Sequence, residues 1–133
     1  MTGKPVSDLQ EMLAGMEPEL HERPYRIVAH GPDDDSIGLL GKTFALIHEE
    51  EGATLVLRAR EHDAGPHFAR ITLQVHSALE GVGLTAAVST ALAKDGIACN
   101  VIAGFHHDHL FVPWERREEA LAILRSLSED ARR

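Results

Sequence analysis

The spacing of apolar residues changes several times along this chain, and each change marks an element. Leu9, Met12, Leu13 and Met16 recur at i, i+3, i+4 and i+7, one face of a short helix. Ser7-Asp8-Leu9-Gln10 fits a capping box, with the Ser7 hydroxyl over the first turn and Gln10 reaching back, and Pro18 is expected to end the helix. Tyr25 to His30 reads as a short strand. Thr43–His48 and Ala53–Arg58 are β-prone runs joined by Glu49-Glu50-Glu51-Gly52, a hairpin signal. A helical turn is expected around Arg60–Ala64, and Gly65-Pro66 marks a boundary between residues 1–66 and 67–133.

The second half is patterned more sharply. Ile71, Leu73 and Val75 alternate with Thr72, Gln74 and His76, which predicts a half-buried strand. The turn Glu80-Gly81-Val82-Gly83-Leu84-Thr85 follows. Leu84, Ala87, Val88, Ala91 and Leu92 then take helical spacing, with Lys94 in the last turn and Gly96 past the end. Ile97–Gly104 and Asp108–Val112 predict two strands around the turn Phe105-His106-His107. Beyond Pro113, the stripe Ala120, Ile123, Leu124 and Leu127 predicts a last helix, and Ser128–Arg133 reads as a frayed polar tail. The order β-α-β-β-α lacks one strand of a ferredoxin-like βαββαβ unit. The missing edge must come from the N-terminal half or from a second chain.

Composition narrows the function classes. With 44% apolar residues, the 133-residue chain can bury a core. A net charge of −8 without a basic stripe argues against nucleic acid and anionic membranes. No apolar run approaches the roughly 20 residues of a membrane span, and the polar N-terminal residues carry no signal peptide. The single cysteine, Cys99, leaves no intrachain disulfide and suits a reducing compartment, so a cytoplasmic location is expected.

Ile71–Val112 resembles an ACT domain. The resemblance rests on Gly81-Val82-Gly83-Leu84-Thr85, the Ala-rich helix, Asp95-Gly96-Ile97-Ala98-Cys99-Asn100-Val101-Ile102 and Asp108-His109-Leu110-Phe111-Val112. Leu84–Val112 is similar to the ACT units of aspartate kinases and CASTOR-type arginine sensors, and the hairpin Phe44–Leu57 resembles the paired strands of their first unit. The whole chain looks like small bacterial proteins of two ACT-like units. The resemblance implies an α+β fold of ferredoxin-like antiparallel sheets with helices on one face. The units would be in tandem, the first degenerate because the loop Gly31–Gly41 stands where its first helix would be. It also implies a non-catalytic regulatory module with no cofactor. Its ligand would be a small amino acid or related carboxylate, held at Gly81, Val82, Gly83, Leu84 and Thr85. Asn100 is a further candidate, two residues beyond the position some ACT units use and on the same strand face. A homo-oligomer is expected.

The residues themselves support an anion at this turn, because the first N–H groups of a helix have no partner within it and the helix dipole favours negative charge there. Thr85 adds a hydroxyl, and His76 ends the preceding strand near the turn. Other chemistries fit less well. Gly81-x-Gly83-x-x-Ala86 satisfies a permissive dinucleotide fingerprint, but Asn100–His107 contains no acidic residue to confirm it. An acyl-CoA transferase loop would want Arg or Gln where Ala78 stands, and Ser77 lacks a nucleophile-elbow context. His106, His107, Asp108 and His109 offer metal-ligating atoms, with partners to be sought at His76, His30 or His48. Alternation on a strand splits them between faces, so a hairpin turn is favoured over a metal-dependent hydrolase. Gly31-Pro32-Asp33-Asp34-Asp35-Ser36 reads as a solvated acidic loop rather than a cation site. A ligand-free assembly module is the remaining alternative.

Overall fold

The computed structural model describes residues 5–30 and 43–133. The chain divides into two units: Arg23–Phe68, and a larger one combining the N-terminal residues through Glu22 with Ala69–Arg133. Helix α1 (Leu9–Ala14) opens the chain, and strand β1 (Pro18–His30) follows and passes from the larger unit into the smaller. Its length exceeds the expected Tyr25–His30, because Pro18–Glu22 finds a partner remote in sequence. The cap of α1 also differs from expectation. The Asp8 carboxylate, not the Ser7 hydroxyl, accepts from the Glu11 N–H at 2.9 Å, and Gln10 donates to the Ala131 carbonyl at 3.2 Å. An Asp oxygen meets the first-turn amides as well as a Ser hydroxyl does and adds a favourable charge.

The larger unit contains β4 (Phe68–Leu73), α2 (Leu84–Lys94), β5 (Asn100–Ala103), β6 (Asp108–Pro113), a 3-10 turn at Trp114–Arg116 and α3 (Arg117–Arg132). Its strands lie in the order β1-β4-β6-β5. The missing strand is therefore supplied within the chain, by the N-terminal part of β1. The Gln74 N–H donates to the Met16 carbonyl at 2.8 Å. Side-chain partners then run from Glu19–Gln74 to His21–Thr72, so the two segments are antiparallel. This completes a ferredoxin-like sheet.

Alternation on these strands gives the sheet one apolar face. Ala69, Ile71, Leu73, Leu110 and Val112 pack there with Val88 and Leu92 of α2, Ala120 and Leu124 of α3, and Met12 and Met16. The strand β5 is shorter than the expected Ile97–Gly104: Ile97 is instead buried behind α2, where Gly96 (φ +69°) lets the Ile97 N–H turn back to the Leu92 carbonyl. The tail is not frayed. Helix α3 continues to Arg132, Ser128 is buried, and the Ser128 hydroxyl and Arg132 guanidinium both donate to the Ala14 carbonyl at the end of α1.

In the smaller unit, β2 (Thr43–Glu49) and β3 (Gly52–Arg58) form the expected hairpin, and β3 also pairs antiparallel with Tyr25–His30. Tyr25 meets Phe44 edge to face at 6.0 Å between ring centres. The expected helical turn near Arg60–Ala64 is a single turn closed by the Asp63 carboxylate, which accepts from the Arg60 N–H at 2.7 Å and pairs with Arg26 at 3.4 Å. The Arg60 bond is the main reason the Asp63 carboxyl sits below its ordinary value. The loops Gly31–Gly41 and Gly31–Ser36 lie outside the described residues. No helix among the described residues is long and apolar enough to cross a membrane.

Candidate functional site

Residues 74–83 lead from β4 to α2, and the N-terminal segment holds them in place. Val6 forms a parallel bridge with Ser77: its N–H donates to the His76 carbonyl and its own carbonyl accepts from Ala78, both at 2.8 Å. The Gly81 N–H closes a turn on the Ala78 carbonyl at 2.9 Å. Gly83 is the N-cap of α2 at φ +106°, a conformation that disfavours any residue with a Cβ, and it brings no capping side chain. The Gly83 carbonyl accepts from Ala87 at 2.8 Å, which leaves the N–H groups of Leu84, Thr85 and Ala86 at the open end of the helix.

The two glycines have a second role that the sequence pattern did not reveal. A Cβ on Gly83 would stand 3.1 Å from a Leu9 methyl, and one on Gly81 would stand 3.3 Å from the Met12 sulfur. Helix α1 thus packs directly onto the turn, and the glycines make room for it. Beside this contact lies a cavity of about 140 Å³, walled by Gly81, Gly83, Thr85, Ser77, Met12 and Asp108.

Two features of opposite electrostatic sign line this cavity. The start of α2 is a positive dipole end. Opposite in sign is the Asp108 carboxyl, placed on β6 where its cross-strand partner is Ala103. Burial raises the Asp108 pKa, while nearby His107 and a hydrogen bond from Ser77 pull it back down. Together they give one small recess both a helix start and a carboxyl.

Of the residues singled out in the sequence, Gly81, Gly83, Leu84 and Thr85 line this cavity. Val82 does not; it is 82% exposed. His76 stands next to Ser77, with its ring 5.4 Å from His106 and 6.3 Å from Phe105. Asn100 is remote from the recess. It pairs with Phe111 on the sheet face that carries His109, whereas Ala103 and Asp108 share the face of Val101 and Leu110. Met12, Ser77 and Asp108 join the site only through the fold. Met12 registered as one apolar position of a helix face, and Asp108 as part of a histidine-rich turn.

The histidines of the larger unit fall in two groups, His76 with His106 and His107, and His21 with His109. Among the described residues, no group of three His, Cys, Asp or Glu side chains could hold a metal ion. The turn Gly104–His107 exposes His106, while the Nδ1 atoms of His76 and His107 are buried with no hydrogen-bond partner among the described residues. His109 faces the other way. Its Nδ1 lies 3.0 Å from the Thr72 hydroxyl, which is also 2.8 Å from His21 Nε2, and Arg70 reaches His21 Nδ1 at 3.2 Å. Desolvation, then the charges of Arg70, His107 and His21, lower the His109 pKa to about 4. Burial raises the Cys99 thiol to about 11, which keeps it protonated and unreactive.

Comparison with known proteins agrees with this architecture. Models described as ACT domains match residues 4–65 and 69–126. A solved Vibrio cholerae structure, described as a protein of unknown function and possible transport protein, is 44% identical, with a TM-score of 0.74 over 86% of this chain and 91% of that one. An Agrobacterium tumefaciens protein is 19% identical, with a TM-score of 0.68 over 84% of this chain and 87% of its own. A structure of aspartokinase alpha and beta subunits shares the fold at 14% identity, with a TM-score of 0.59 over 83% of this chain and 95% of that one. No curated protein matches the chain.

Proposed function

Because this chain belongs to the ACT domain family, with two matched segments in tandem, we propose that it is a non-catalytic sensor of a small amino acid or related carboxylate, bound in the recess at the start of α2. The observation that carries this reading is the meeting in one cavity of the uncapped start of α2, at Leu84 and Thr85, with Asp108. A carboxylate would take the amides, as anions do at helix starts. An ammonium group would face Asp108, and Thr85 and Ser77 would orient the ligand between them. His76, the chain neighbour of Ser77, would shape the mouth of the recess, and Asn100 would act on the opposite sheet face, in assembly rather than in ligand contact. The protein would act as a homo-oligomer in the cytoplasm, its ligand favouring one assembled arrangement to the extent that it binds that arrangement more tightly.

A thermal-shift screen of the metal-stripped protein against the twenty amino acids tests this. A ligand at a hundredfold excess over its Kd adds about 2.7 kcal/mol of stability. A clear rise in Tm with one amino acid, lost in Asp108→Asn, is expected. No rise with any of them would favour a ligand-free assembly module, an alternative that gains from the way Leu9 and Met12 already pack against the glycine turn.

A further inference from the structure

The recess has one wall that no βαββα unit supplies by itself: Met12 of α1. This side chain is 1% exposed, lines the cavity, and holds its sulfur and terminal methyl 3.3 and 3.4 Å from where a Gly81 Cβ would be. Its position is not adaptable in the way an isolated methionine on a loop would be. Helix α1 is tied at its start by the Asp8 cap and at its end by Ser128 and Arg132 donating to the Ala14 carbonyl. Gln10 adds a bond to Ala131, and Val6 is strapped to Ser77 immediately beside the recess.

We infer that Met12 is the size-determining residue of the ligand site, so that the protein takes amino acids with small side chains and rejects branched or long apolar ones. The inference rests on the amino-acid reading of the recess and adds a specificity to it. The polar groups, Ser77, Thr85, Asp108 and the α2 amides, are those an amino acid's shared backbone atoms would use. They leave the apolar lining, Ala78, Leu79, Leu84, Ala103 and Met12, to meet the side chain, and of these the Met12 thioether is the most buried and the one that α1 supplies. Within a space of about 140 Å³ each methylene counts. One methylene gained or lost in an apolar pocket changes selection by roughly 10- to 200-fold.

The test is calorimetric titration of the full chain and of Met12→Ala with glycine, alanine, serine, threonine, valine, leucine and methionine. The wild type should bind best among the first four. Met12→Ala should shift the ratio of leucine or methionine affinity to alanine affinity upward by about tenfold or more. Should Met12→Ala not fold, Met12→Val opens less space and should move the same ratio in the same direction. Binding by both proteins with an unchanged ranking would overturn the role of Met12 while leaving the sensor reading intact. Binding of none of the seven by either protein, with a thermal shift from a larger amino acid, would overturn the small-side-chain specificity alone. No binding of any of the twenty would remove the sensor reading and this inference together.

Discussion

Replacing Gly83 with Ala separates two costs that the structure places at one residue. The first is backbone: φ is +106°, and a left-handed conformation costs an L-residue about 1–2 kcal/mol. The second is contact: the new Cβ would lie 3.1 Å from a Leu9 methyl, so Leu9 must leave its rotamer well, at about 0.5–1.5 kcal/mol. Loss of glycine's freedom in the unfolded chain offsets about 0.4–1 kcal/mol of this. The net expectation is a destabilisation of about 2 kcal/mol. Gly65 provides the control, since its φ is +93° and no atom lies within 4 Å of its Cβ position. Gly65→Ala carries the backbone cost alone and should lose about 1 kcal/mol or less. Leu9→Ala combined with Gly83→Ala should recover the contact cost but not the backbone cost, giving a coupling of about 0.5–1.5 kcal/mol. Urea unfolding of these three variants and of Leu9→Ala alone, followed by circular dichroism, measures each figure. A Gly83→Ala variant as stable as the wild type, or a double mutant that is strictly additive, would refute the claim that α1 packs against a constrained glycine.

Two further outcomes follow from groups away from the recess. The folded His109 titrates near 4 and the unfolded one near 6.5, so between these pH values the unfolded chain binds a proton that the folded chain does not. The stability that neutral His109 contributes should be full above pH 6.5 and decline as pH falls to 4. The unscreened value is about 3 kcal/mol, reduced to about 1–2 because the ring is only partly buried. Subtracting the pH profile of His109→Gln from that of the wild type should isolate a slope confined to this window, and parallel profiles would contradict it. Ending the chain at Leu127 removes both donors to the Ala14 carbonyl. It should cost about 1–3 kcal/mol and speed amide exchange in α1 more than in α2; uniform exchange in the two helices would show that α1 is held by its apolar face alone.

Much of the fold was legible because short-range pattern and long-range packing agree in the second half. Alternation at Ile71 and Leu73, helical spacing at Val88 and Leu92, and the stripe Ala120–Leu124 all face the same core. Consistency of that kind lets local pattern stand for tertiary structure. Disagreement arose where a segment's partner is far away in sequence. Pro18–Glu22 has weak local strand character and becomes a strand because β4 offers an unpaired edge. Ser128 and Arg132 look like a solvated tail and become anchors because Ala14 presents a carbonyl that no residue of α1 can reach.

The same division runs through the candidate site. By itself the sequence determined the glycine turn and the helix that starts there, because positive φ and unpaired amides are local consequences of Gly83 and the residues after it. Only the tertiary structure decided what stands around that turn. It brought Met12, Ser77 and Asp108 to one recess from three separate elements and turned Asn100 to the other side of the sheet. Which face a strand residue takes depends on register with its neighbour, and register is a property of the assembled sheet rather than of the segment.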